Sequence, residues 1–252
     1  MVHFVGAGCG AADLITLRGK RLIESADVII YAGSLVSPEL LQYAKSGCEI
    51  HNSAVMTLDE VIEVMQKAEA DNKVTVRLHT GDPSIYGAIR EQEERLEALG
   101  ICYDVCPGVS SFCGAAAALG AEYTLPGVSQ TVILTRMEGR TSVPAAESIE
   151  SLSAHRASMV IFLSAGMLRE LSSRLINGGW EPDTPAAVVY KASWADEKVC
   201  RCTVSSLAET AEQNGINKTA LILVGGFLGS DHELSKLYDP YFETGYRKAK
   251  EK

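Results

Sequence analysis

Residues 5–14 read VGAGCGAADL and follow directly on the apolar start VHFV. A short apolar run ended by glycines, then a helix-forming segment, spells strand, tight turn and helix. Gly6-x-Gly8-x-x-Ala11 also matches a loose dinucleotide-binding fingerprint. That reading makes a second demand, an acid ending the next strand about 20 residues on, to bind the ribose hydroxyls. Within DVIIY (27–31) the strand proper is VII (28–30), and Tyr31-Ala32-Gly33 follows it without an acid. Asp27 precedes the strand and so falls at the wrong edge of the sheet. Asp13 would set a carboxylate against a pyrophosphate, like charge against like charge. No Gly-Lys-Ser/Thr follows, which excludes a Walker A loop. The residues alone leave the loop open between a plain strand-to-helix turn, one wall of a ligand cleft and a dinucleotide site.

Working outward, the first half alternates strand and helix. A helix is expected over 17–25, and another from SPELLQYAKSG, with Ser37 as cap and Pro38 in the first turn. TLDEVIEVMQKAEAD (57–71) carries a Thr57/Glu60 capping box and the apolar spacing Leu58, Val61, Ile62, Met65. VTVRLHT (74–80) reads as a strand, 87–99 as a helix, CYDVCPG (102–108) as strand and turn, and 110–120 as an alanine-rich helix. This alternation predicts a mainly parallel sheet with helices on both faces. The second half changes. Strands at 127–136, 158–164, 186–193, 198–204 and 220–226 include a close pair separated by Trp194–Glu197, which predicts a mixed sheet. The expected division is an α/β domain over 1–115 and a second over 116–252. The tail ending RKAKEK reads as a solvated extension.

Composition narrows the partners. A net charge of −9 argues against sequence-independent nucleic-acid binding. No apolar run is long enough to span a membrane, and the start does not have the form of a signal peptide, so a cytoplasmic protein is expected. The seven cysteines are then expected as reduced thiols, and the histidines are scattered singly, so no metal site is expected.

Two further glycine turns follow strands in the first half: Gly81-Asp82-Pro83-Ser84-Ile85-Tyr86-Gly87 and Pro107-Gly108-Val109-Ser110-Ser111. Open α/β sheets place ligands at the carboxyl ends of their strands. All three loops are therefore expected along one rim, although caps and tight turns explain each one taken singly.

In order along the chain, GAG-x-G, Leu14-Ile15-Thr16, Ala26 to Tyr31, Gly81 to Gly87, Pro107 to Ser111 and Gln130 to Arg136 resemble the tetrapyrrole (corrin/porphyrin) methylases. The resemblance runs nearly the whole chain. It implies S-adenosylmethionine as methyl donor, a tetrapyrrole acceptor, a homodimer and an active-site cleft between two α/β domains. YAGSLV (31–36), HTGDP (79–83), ILTRMEGRTSVP (133–144) and VVYKASWADEK (188–198) resemble the branch that methylates ring carbon C-11 of precorrin-4, with or without cobalt. A sibling acting at another ring position (precorrin-2, precorrin-3 or uroporphyrinogen) is the alternative, and a nicotinamide oxidoreductase would lack its ribose-binding acid. Relatives usually read GAGPGD in the first loop; here Cys9 and Ala11 replace the proline and the acid.

By the same resemblance Asp82 is the expected catalytic carboxylate, able to hold the donor, orient the substrate or accept a proton. Cys9, Thr80, Gly81, Asp82, Tyr86, Ser110, Ser111, Leu163, Ala192 and Ala220 are the expected donor-binding residues. Gly8 and Gly10 are expected to let a flat macrocycle approach the backbone. Arg90, Arg136, Arg140 and Lys191 are the candidates to meet its carboxylates.

Overall fold

In the computed structural model the described residues are 1–33 and 35–251; Ser34 of the YAGSLV stretch and Lys252 at the end of the tail lie outside them. The opening run forms β1 (Val2–Gly6), and α1 (Leu17–Ser25) starts behind Thr16, whose hydroxyl accepts from the Gly19 amide at 3.0 Å. β2 (Val28–Tyr31) follows. The expected helix after Ser37 is instead a 3-10 segment, Pro38–Tyr43. Ser37 makes no side-chain cap bond there, and the backbone turns extended at Ala44 (φ −66, ψ 137), so the segment ends before it can propagate as an α-helix. β3 (Glu49–Asn52) is a short and largely exposed strand without an apolar run to announce it.

α2 (Leu58–Ala70) has both reciprocal bonds of its capping box, as its sequence predicts. β4 (Thr75–His79), α3 (Arg90–Ala98), β5 (Tyr103–Cys106) and α4 (Ser111–Leu119) complete the series. The strands lie in the order β3-β2-β4-β1-β5. Each pairing is parallel. Apolar residues cover both faces, as a buried parallel sheet requires. Val5, Ile29, Val76 and Leu78 pack with Ile23 and Leu40 on one face, and Phe4, Ile30, Val61, Met65 and Leu96 pack on the other.

The second series runs β6 (Val132–Arg136), α5 (Ile149–Ser153), β7 (Ser158–Phe162), α6 (Leu168–Asn177), β8 (Pro185–Tyr190), β9 (Lys198–Thr203), α7 (Leu207–Gln213) and β10 (Ala220–Val224). Its strand order is β6-β7-β10-β8-β9. β6 pairs parallel with β7 and β10 pairs antiparallel with it, so the sheet is mixed. The chain divides into two compact units, Met1–Leu119 with Tyr190–Lys198, and Gly120–Val189 with Val199–Lys252. The stretch joining β8 to β9 thus belongs with the first unit. No helix among the described residues is long and apolar enough to cross a membrane.

Thr75, Arg77 and His79 alternate with Val76 and Leu78 along β4, and all five are buried. Burial, with the Arg77 charge adding to it, pushes His79 down to about 3 from the ordinary 6.5. The unfolded chain takes up this proton near 6.5, while the folded chain refuses it until about 3. Stability from this group is therefore complete above that window and falls as pH drops through it. His79→Leu should remove this component. Urea unfolding midpoints between pH 7 and 4 should fall less steeply for the variant, and equal slopes would contradict the assignment.

Candidate functional site

The order β4-β1-β5 sets the carboxyl ends of three adjacent strands side by side, and each end carries one of the glycine turns. The rim expected from sequence is present. Its loops touch through backbone. Gly8 and Gly81 form an antiparallel bridge, with Gly81 donating to the Gly8 carbonyl at 2.9 Å and Gly8 donating to the Gly81 carbonyl at 3.2 Å. A Cβ on Gly6 would lie 2.6 Å from the Gly108 backbone and from the Gly81 carbonyl oxygen, and one on Gly108 would lie 2.2 Å from that same oxygen. Three strand ends meet because no side chain keeps them apart.

Asp82 clasps the junction. One carboxylate oxygen accepts from the Ser84 amide at 2.9 Å and from the Ser84 hydroxyl; the other accepts from the Gly108 amide at 2.8 Å. Burial alone would raise its pKa, but these hydrogen bonds from Ser84 and Gly108 outweigh it and hold the carboxyl below its ordinary value. Asp82 therefore stays ionised and its oxygens face loop donors. Gly81, at φ 61, lies against Ser110 and Ser111, with 3.4 Å from its virtual Cβ to the Ser110 Cα and the Ser111 amide. Thr80 precedes this junction in the chain. Ser111 opens α4, and helix N-termini present unpaired amides. Tyr86 is half exposed and, like Ala88, has positive φ in the turn that enters α3.

The rest of the opening loop is covered by the 190–198 strap. Ser193 Oγ accepts from the Ala11 amide at 3.0 Å and lies 3.4 Å from Cys9 Sγ, while its own amide donates to Glu197 at 2.6 Å. This strap leaves no room for a side chain at Gly10: a Cβ there would lie 2.3 Å from the Trp194 ring and 2.5 Å from the Ala192 carbonyl. Gly114 of α4 packs as closely on Cys9, which is 7% exposed. Cys9, Gly10 and Ala192 are thus brought together, with the Cys9 side chain held among protein atoms. Sequence reasoning missed Ser193 and Trp194. Their signal was the run SWADEK, whose short polar form reads as a turn.

The four candidate cations differ in availability. Arg90 is exposed on α3 and donates to Glu94 at 3.0 Å. Lys191, at φ 48, pairs with Asp196 at 2.7 Å and sits over the Tyr190 and Trp194 rings. In the second unit Arg136 ends β6 and donates to the carbonyls of Met137, Thr141 and Ser142, shaping the turn that carries exposed Arg140. Arg140 has no ionic partner among the described residues.

Leu163 directly follows β7 and is exposed by 64%, with φ 52. An apolar residue both exposed and in the left-handed region is strained twice over, a pattern concentrated at ligand sites. Extending the β7–β10 register beyond Ile222↔Ile161 sets Ala220 across from Leu163. These two expected site residues therefore share one end of the second sheet.

A family model described as Tetrapyrrole (Corrin/Porphyrin) Methylases matches residues 1–208. The chain is 54% identical over 252 residues to a cobalt-precorrin-4 C(11)-methyltransferase of Methanocaldococcus jannaschii, covering 100% of this chain and 97% of that protein. It is 46% identical over 248 residues to a precorrin-4 C(11)-methyltransferase of a Sinorhizobium species, covering 98% of each. A solved X-ray structure of a cobalt precorrin-4 methyltransferase, described as a cobalamin biosynthetic enzyme, matches with TM-score 0.89 and 45% identity over 91% of this chain and 96% of that one.

The glycine junction gives a direct test. Gly108→Ala forces backbone apart at three strand ends and should cost about 2 kcal/mol or more. Gly139, with nothing within 4 Å of a virtual Cβ, is the control, and Gly139→Ala should stay within about 0.5 kcal/mol of the parent. Chemical denaturation separates them. Equal stability of the two variants would contradict the close contact.

Proposed function

The chain belongs to the tetrapyrrole (corrin/porphyrin) methylase family, and on that premise we propose that it methylates ring carbon C-11 of precorrin-4, or of its cobalt form. The observation that carries the choice of branch is full-length similarity to C(11)-methyltransferases at 46–54% identity. S-adenosylmethionine supplies an activated methyl group on its sulfonium. An electron-rich ring carbon of the acceptor attacks that methyl, the carbon–sulfur bond breaks, and S-adenosylhomocysteine leaves with the electron pair.

The protein's task is alignment and exclusion of water. Two features fit a donor of this kind. The hydroxyls of Ser110 and Ser111 have no hydrogen-bond partner among the described residues, and they stand beside the amides that open α4. Leu163 offers an exposed apolar side chain on a strained backbone. Gly81, Ser110, Ser111, Leu163, Ala192 and Ala220 form the proposed donor set, joined by Thr80 and Tyr86, with Cys9 contributing to the wall. Asp82 we assign to holding the donor loops in register, since its lone pairs already accept from Ser84 and Gly108. Arg136, Arg140, Lys191 and Arg90 are the proposed partners for the acceptor's carboxylates, and Arg140 is the one among them without an internal tie.

A cytoplasmic homodimer completes the reading. The seven cysteines are all free, which fits a reducing compartment, and the dimer follows the family resemblance.

Calorimetry with S-adenosylhomocysteine, followed by turnover on precorrin-4 with and without cobalt, tests the proposal. Saturable binding and a product carrying one additional methyl at C-11 by NMR are expected. A methyl at another ring position would move the chain to a sibling activity, and tight NAD binding without S-adenosylhomocysteine binding would overturn the reading.

A further inference from the structure

Arg77 is a core cation without a carboxylate. It sits mid-strand in β4 on the face packed by α2 and α3, 7% exposed. Its Nε donates to Gln92 Oε1 at 3.0 Å and its Nη1 to the Ile30 carbonyl at 3.2 Å. Both partners are neutral. Burial is the sole influence on its basicity, lowering it to about 10, and no acidic side chain offsets that. Nη2 has no hydrogen-bond partner among the described residues. It is also absent from the sealed, unpartnered polar atoms of the core (Thr75 Oγ1, His79 Nε2 and Trp180 Nε1), so it opens onto accessible space.

Arg77 lines a pocket of about 190 Å³ together with Ser53, Thr57, Glu91 and Gln92, among others. Thr57 caps α2, and Glu91 and Gln92 lie in the first turn of α3, so two helix N-termini flank the guanidinium. Each adds a partial positive charge. Gln92 also holds the strained turn before α3 through the Ala88 carbonyl at 2.9 Å, which fixes the pocket wall. A buried guanidinium left uncompensated is strongly unfavourable, and an anion at its open edge removes that penalty.

We propose that this pocket binds a carboxylate group on the open edge of Arg77, either a free small monocarboxylate or the carboxylate arm of a larger molecule. The planar fork of a guanidinium matches the two oxygens of a carboxylate. Glu91 in the wall disfavours a doubly charged ligand.

Thermal unfolding of the whole protein tests this, with sodium acetate replacing sodium chloride at constant ionic strength. Acetate at ten times its dissociation constant raises Tm by roughly 3–5 °C more than sulfate does at the same ionic strength, sulfate giving only the general salt effect. Arg77→Met keeps the stem, removes the fork and loses the response. Arg77→Lys keeps the charge without the fork and retains only part of it, which covers the case in which the methionine variant fails to fold. An acetate response in the wild type no larger than that of sulfate, or one undiminished in both variants, overturns the proposal. Given an Arg77-dependent response, acetate that competes with the tetrapyrrole in turnover identifies a substrate arm, and acetate that leaves its KM unchanged identifies a free ligand. The thermal readout requires no turnover, so its failure is distinct from a failure of the methyl-transfer reading.

Discussion

Three strand ends can touch only where side chains are absent, and the first unit is arranged around that constraint. Gly6 and Gly108 give up their Cβ atoms so that β1 and β5 can approach the Gly81 carbonyl, and the Gly8–Gly81 bridge ties β4 to the same point. Once the loops are this close, a single carboxylate can hold them. Asp82 reaches across to the Gly108 amide, a bond available only because β4 and β5 flank β1. Ser110 and Ser111 are then delivered beside Gly81, where α4 begins. Strand order, glycine placement and the clasp are one device seen at three scales.

Strain accumulates around the same rim and its counterpart in the second unit. Tyr86, Ala88, Leu163, Lys191 and Ser193 all have positive φ, and each follows the carboxyl end of a strand. Non-glycine residues in that region cost on the order of 1–3 kcal/mol each and persist only when their surroundings fix them. Here the fixing groups are identifiable. Gln92 holds the turn before α3 through the Ala88 carbonyl, and Glu197 holds Ser193 through its amide. A relaxed loop would lose the placement of backbone groups that a small ligand reads.

Much of this was legible in the sequence. Alternating apolar runs and capping signals gave the parallel sheet, and three glycine turns after strands pointed to one rim. β3 escaped notice because EIHN is an exposed edge strand with little hydrophobic signal. The segment after Ser37 was overread, since a serine–proline start does not supply a helix with length. Long-range partners were the hidden part. Gly10 sits against Trp194, far along the chain, a neighbour that nothing local announces. The sequence leaves Asp82 open between holding the donor, orienting the substrate and accepting a proton, because nothing local shows that Gly108 will come within 2.8 Å. Arg77, inside VTVRLHT, carries no local sign of what will cover it, since Gln92 and the Ile30 carbonyl reach it from other elements.

If the loops after β1, β4 and β5 form one donor-binding unit, as proposed above, they respond to the ligand together. Amide hydrogen exchange of the full chain with and without S-adenosylhomocysteine tests it most directly. The account predicts that residues 80–87 and 107–112 gain protection together, at the same ligand concentration, with residues 6–11 rising alongside them. Protection confined to other segments, with these three unchanged, would contradict it.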